Sequence, residues 1–298
     1  MRSGRQPLHI LLCAALLLGA WSLFLRRLPI RAQLAESNYQ ANVIRLQDFL
    51  FQPVRPAVFV GSSITGRLLA GYFSATLLEG SANLGLDGSG PRLGIELLVL
   101  QKSTPPPWLF VEANLLGIPP GSNDAQLLEA THGLTFSLAR RISLFRAETR
   151  PSSLLYSWLK QRRNDAHDNR IPPLTSSPPA ALLSAPLPIT WDRSSPEERA
   201  LHRNGIRQGL LELRRRGTQV VLLRFPHADV PEDPAARDAN FGDELARELQ
   251  LPQWELGPEL RASGISPTFS DGTHLTPGAA RSVARLIAGK TAQLFIHR

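Results

Sequence analysis

The chain has 298 residues, with 33 Lys plus Arg against 25 Asp plus Glu, a net charge of +8 and a single cysteine. A hydrophobic fraction of 43% with 19% charged residues supplies enough apolar material for a full core, which excludes disorder throughout. One cysteine excludes an internal disulfide and a cysteine-rich zinc site, so packing has to hold the fold. The positive excess is concentrated in residues 1–50 and 136–170 instead of being interleaved with aromatics along the chain, which argues against a nucleic-acid partner.

Residues 8–25, LHILLCAALLLGAWSLFL, form an apolar run flanked by Arg2 and Arg5 before it and Arg26, Arg27 and Arg31 after it. At about 1.5 Å per residue the run approaches the roughly 30 Å of a bilayer core, longer than the apolar part of a cleaved signal peptide. Residues 1–31 are therefore expected to be an uncleaved signal anchor that places residues 8–25 in the lipid bilayer. The flanking arginines do not decide its orientation, although a short basic N-terminus kept inside would put the rest of the chain outside the cytoplasm.

Residues 32–54 read as a stalk, with a helix from Asn38 to Leu50 that ends at Pro53. Beyond it, AVFVG (57–61), SANLG (81–85), WLFVEA (108–113) and TQVVLLRF (218–225) are short apolar runs that suit strands covered on both faces. Helical patterns alternate with them at Ile64–Leu77, Pro91–Gln101, Ser195–Arg216 and from Thr276 and Pro277 to about Ala292. The third of these is punctuated by Ser195 as cap, Pro196 at the first position, Glu198 reaching back and Gly217 at its end. This alternation predicts an α/β three-layer sandwich with a mostly parallel sheet over residues 55–298. An insertion at about 117–194 interrupts it with a basic amphipathic stretch (138–163) and a Pro/Ser-rich one (171–191). That insertion fits a lid, a partner-docking element, a flexible loop, a helix lying on the membrane, or a helical hairpin packed on the sheet.

Open α/β sheets bind ligands at the carboxyl ends of their strands. There the sequence places Ser62-Ser63, the turn Asp87-Gly88-Ser89-Gly90, Asn114 and, before the last helix, Asp271-Gly272-Thr273-His274. A serine nucleophile needs a base, an orienting acceptor for that base and donors for the oxyanion, and these loops supply one of each. His227, in RFPHAD after the last long strand run, is a further candidate for touching substrate. No group of histidines and carboxylates has metal-ligand spacing and no Walker or dinucleotide loop is present, so neither a metal nor a cofactor is expected.

VFVGSSIT, NLGLDGSG, FVEAN and DGTH together resemble the four blocks of the SGNH hydrolases, the GDSL-type esterase superfamily. The resemblance covers roughly residues 55–116 and 218–292, with Ser62 where the family usually has Asp and Leu115 where it often has Asp. It implies a flavodoxin-like SGNH fold, Ser63 as nucleophile, His274 as base and Asp271 as its partner. It also implies an oxyanion hole made by Ser63, Gly88 and Asn114. The activity implied is that of a serine esterase or O-acyltransferase, working through an acyl-serine intermediate on an extracytoplasmic glycan or envelope ester. Its place would be the bacterial inner membrane, single-pass, with the catalytic domain on the periplasmic side. A membrane partner that donates acyl groups or exports polysaccharide would fit such a protein. The altered first block and the large insertion fit an alternative: a catalytically weak glycan-binding or scaffold subunit of an export complex.

Overall fold

The computed structural model describes residues 6–27, 32, 35–52, 55–101, 104–117, 119–168, 195–226, 240–271 and 273–296. The protein is α/β, built on five parallel strands in the order β2-β1-β3-β4-β5: β1 (Ala57–Gly61), β2 (Ala82–Gly85), β3 (Trp108–Glu112), β4 (Gln219–Arg224) and β5 (Gln253–Glu255). The four strand runs read from the sequence are all present; β5 is too short for its hydrophobic pattern to stand out. Every residue of β1 and β3 is buried, which is why these segments, Glu112 at the end of β3 excepted, are apolar instead of alternating.

Before the sheet come α1 (Gln6–Arg27) and α2 (Asn38–Phe51). The span His9–Arg27 of α1 is long and apolar enough to cross a membrane, and no part of it is buried against the rest of the protein. Helix α2 is no free stalk: Ala41, Val43, Ile44, Leu46, Phe49 and Leu50 are all buried in the core.

The period-two geometry of the strands sends their side chains to two apolar clusters, one on each face. On one face Val58, Val60, Leu109, Val111, Val220 and Leu222 meet α2, α3 (Pro91–Gln101), α7 (Pro196–Arg215) and α8 (Asn240–Leu249). On the other, Ala57, Phe59, Phe110, Val221 and Leu223 meet α9 (Leu256–Ala262) and α10 (Pro277–Ile296). An aromatic row crosses this second face: Phe73 on Phe59 at 4.8 Å, Phe59 on Phe110 at 4.7 Å, and Phe110 on Trp254 at 5.8 Å between ring centroids. Phe59 and Phe110 are register partners in neighbouring strands, so the sheet itself sets their stacking.

The cap expected at the start of α7 is present as a full capping box. The Glu198 N–H donates to Ser195 Oγ at 3.1 Å, and the Ser195 N–H donates to Glu198 Oε2 at 2.7 Å. The helix expected over Ile64–Leu77 is not formed; two 3₁₀ turns, Thr65–Arg67 and Ala70–Phe73, stand there instead. Gly66 and Gly71 weaken helix propensity in this segment, and Asn83 of β2 takes the Thr65 and Leu68 carbonyls at 2.9 and 2.6 Å. Within the insertion, α4 (Ser122–Glu129), α5 (Gly133–Arg141) and α6 (Pro151–Asp168) are helical, and Ala147 packs into the core beside α2. The Pro/Ser-rich stretch 171–191 lies outside the described residues.

Phe110 is fully buried at the centre of the aromatic row. Phe110→Ala is expected to lower the unfolding free energy by about 3–5 kcal/mol, the cost of lost transfer energy plus a cavity. Leu155→Ala, at an exposed position of α6, should change it by under about 0.5 kcal/mol. Denaturant titration of both variants checks the contrast.

Candidate active site

The strand order reverses between β1 and β3, and the crevice at the carboxyl end of such a reversal is where open α/β sheets bind ligands. Ser63 follows β1 at this point. Its Oγ lies 2.7 Å from His274 Nε2, although the two residues are far apart in sequence. His274 Nδ1 lies 2.7 Å from Asp271 Oδ2. Because the carboxylate only accepts, the ring proton belongs on Nδ1, which leaves Nε2 to accept from the serine hydroxyl.

A small hairpin delivers Asp271 and His274 together. Phe269 and Leu275 form an antiparallel bridge, the Ser270 N–H donates to the His274 carbonyl at 2.8 Å, and the Thr276 N–H donates to the Thr268 carbonyl at 3.0 Å. Inside it Asp271 Oδ1 accepts from the N–H groups of Thr273 and His274 at 3.1 and 2.8 Å, so one carboxylate oxygen shapes the turn while the other holds the ring. Partial burial pushes the Asp271 carboxyl up, but the hydrogen bonds from His274 and Thr273 outweigh it and leave the group below its ordinary range.

Gly88, in the turn after β2, lines the same cavity as Ser63 and has φ of +73°, a conformation glycine adopts without strain. Among the described residues, neither the Ser63 nor the Gly88 N–H is taken by a protein acceptor. Asn114, expected in the same role, is held differently: its Nδ2 donates to the Phe225 carbonyl at 3.0 Å and its Oδ1 accepts from the Phe225 N–H at 2.8 Å. It clamps the end of β4 and is not among the residues lining the cavity beside Ser63. His227 lies outside the described residues.

Sequence reading missed two residues that build this site. Glu112, the last residue of β3, is completely buried beneath the turn after β1. Its carboxylate accepts from the Ser62 N–H at 2.8 Å, Ser62 Oγ at 2.8 Å and Thr65 Oγ1 at 2.6 Å. Gly61 makes room for it, since a Cβ there would lie 2.5 Å from Glu112 Oε2. Burial pushes the Glu112 carboxyl above its ordinary value of 4.5, against the opposing pull of those hydrogen bonds. Ser62 is therefore the partner of this carboxylate.

The second is Asn42 of α2, 1% exposed. Its Nδ2 donates to the Asp87 carbonyl and its Oδ1 accepts from the Asp87 N–H, both at 2.9 Å, which fixes the residue just before Gly88. One turn further along α2, Arg45 pairs with the Asp87 carboxylate at 3.4 Å and donates to the Gly85 carbonyl. A glutamate inside an apolar strand and an asparagine in an amphipathic helix were the available signals. Both residue types are uncommon in buried places without partners.

Compared with protein-family models and with curated protein sequences, the chain matches none. Among the described residues no group of three or more His, Cys, Asp or Glu side chains is arranged to hold a metal ion.

With its carboxyl pushed up, the folded chain holds a proton on Glu112 that the unfolded chain releases above pH 4.5. Stability should therefore fall as pH rises from that value toward the folded pKa, and Glu112→Gln should lack this part of the decline. Unfolding free energies of the two chains across pH measure it. Asn42→Ala should cost about 1–3 kcal/mol by stripping both Asp87 backbone groups of their partner, read by the same denaturant titration.

Proposed function

We propose that the protein is a serine-dependent ester hydrolase or O-acyltransferase of the SGNH type. The observation that carries this reading is the unbroken relay from Ser63 Oγ through the His274 ring to Asp271, with both spacings at 2.7 Å. The apolar clusters on both faces of the sheet support the three-layer sandwich of that family, and the strand order agrees with its flavodoxin-like topology.

In this mechanism Ser63 Oγ attacks the acyl carbonyl carbon while its proton passes to His274 Nε2. The N–H groups of Ser63 and Gly88 face the oxygen that gains the negative charge. His274 then gives its proton to the departing alcohol, and an acyl-Ser63 ester remains. Water or a sugar hydroxyl attacks that ester with His274 again as base, which makes the protein a hydrolase or a transferase respectively. Asp271 holds the imidazole orientation and balances the imidazolium, and its lowered pKa keeps it ionised for that task.

The apolar helix α1 supports attachment to a bilayer, and the proposed location is a bacterial inner membrane with the catalytic domain on the periplasmic side. Its substrate would be an envelope glycan or ester. A weak or inert glycan-binding or scaffold module, working with an export or acyl-donor partner, is the second reading. One observation favours it: the Asn114 amide is occupied by the Phe225 backbone.

A fluorophosphonate probe should label the full chain at Ser63. Ser63→Ala should abolish labelling and His274→Ala should slow it by about a hundred- to ten-thousandfold. Labelling should persist, at a reduced rate, in Ser62→Ala. Correctly folded protein that the probe leaves unlabelled would favour the scaffold reading.

A further inference from the structure

Helix α6 is inverted for a helix on a water-facing surface. It buries Ser153 and Ser157, one turn apart, and turns Leu155, Trp158 and Leu159 outward, 57%, 40% and 51% exposed. At spacings of three and four these three side chains share one face, so the outward face of the helix is its apolar one. Ile142 and Phe145 are exposed as well, in the turn before α6 that Thr149 Oγ1 helps to close by donating to the Arg146 carbonyl at 2.8 Å.

The charge of this region has one sign. Residues 138–163 carry seven basic residues against one acidic, Glu148, and Glu148 is already paired with Arg146 at 3.7 Å. Arg140 and Arg141, in the last turn of α5, are exposed and have no acidic partner among the described residues. Leucine and tryptophan on one exposed face, with arginines in the same segment, is the composition of a helix lying between lipid headgroups and acyl chains, a depth that also suits the indole ring.

The start of α6 is tied to the segment that follows α1. Ser152 Oγ donates to Glu36 Oε1 at 3.2 Å, and Arg150 donates to Gln40 Oε1. Glu36 is nine residues beyond Arg27, the end of α1, and nine residues reach at most about 32 Å. With α1 in a bilayer, that bilayer is an apolar surface always within reach of α6. A protein partner would have to bring both an apolar groove and an acidic rim, whereas anionic lipid offers acyl chains and negative headgroups where the chain is already held. We propose that the exposed face of α6 lies on the surface of an anionic bilayer, with Leu155, Trp158 and Leu159 at the acyl boundary and the arginines of this segment among the headgroups. The inference rests on the placement of α1 in that bilayer and is independent of the chemistry of Ser63. Ala32 and Asn38 line the cavity beside Ser63, so contacts through both α1 and α6 would fix the height and tilt of that cavity over the membrane, which a single anchor leaves free.

The test uses the full chain with Cys13→Ser, so that one introduced cysteine carries an environment-sensitive fluorophore. One variant has Leu155→Cys. The control has Leu294→Cys, also exposed, whose neighbour Phe295 meets Trp108 at the start of β3, the opposite edge of the sheet from Ser63. Each is placed, one chain per disc, in nanodiscs of phosphatidylcholine alone or mixed with phosphatidylglycerol, with and without a spin-labelled lipid that quenches the fluorophore. In the mixed discs the spin-labelled lipid should quench position 155 at least about twofold more than position 294, with a blue-shifted emission at 155 only. The quenching should weaken in phosphatidylcholine alone and as salt is raised, and it should fall to the level of position 294 when Trp158→Ser and Leu159→Ser are added. A chain that enters the discs with position 155 unquenched overturns this inference alone, as does a blue shift without quenching, which would mean a protein contact. Equal quenching in both lipids at every salt concentration overturns the anionic assignment. A chain that does not enter the discs overturns both the anchor and this inference.

Discussion

Glu112 has no water to turn to. A carboxyl group at the end of a fully buried central strand must find its hydrogen bonds inside the protein, and it finds them in the backbone and hydroxyls of the turn that follows β1. Satisfying Glu112 and shaping the turn of Ser63 are consequently one physical event. With the N–H, hydroxyl and carbonyl of Ser62 all engaged, by Glu112, Ile64 and Gly66, the backbone around Ser63 has little freedom left. The serine hydroxyl is delivered to His274 and its own N–H stays open.

The same logic operates on the other side of the site from an unexpected direction. The turn that carries Gly88 is held by Asn42 and Arg45, which belong to α2, the helix that follows the apolar N-terminal helix. Because α2 is packed into the core by six apolar side chains, the Gly88 turn is referenced to the body of the protein. The hairpin of Asp271 and His274, by contrast, carries its own scaffold: Asp271 shapes the turn that presents His274, and the Phe269–Leu275 bridge closes it. Three loops with three different supports meet at one cavity.

Much of this was legible in the chain. Strands buried on both faces have to be largely apolar, which is why β1 to β4 stand out. The capping box of α7 is a purely local hydrogen-bond pattern, which is why Ser195 and Glu198 could be paired from spacing. The Asp271–His274 pair was readable for the same reason, since three residues in a turn suffice to bring the two side chains together. The segment after Ile64 was misread because its apolar spacing suits a helix, while Asn83 of a neighbouring strand takes its carbonyls. No local pattern reports a partner of that kind.

Local chemistry and periodicity thus determined the α/β class, the apolar N-terminal helix and most of the elements, each of which depends on near neighbours in sequence, and the resemblance of short motifs to a known family singled out Ser63, Asp271 and His274 as candidates. Only the tertiary structure decided that Ser63 and His274 touch, that Glu112 and Asn42 hold the turns around them, and that Asn114 binds the end of β4. These are contacts between residues distant in the chain, fixed by which strands lie side by side. Burial makes each of them obligatory, because a polar group removed from water must be paired with whatever the packed strands and helices bring to it.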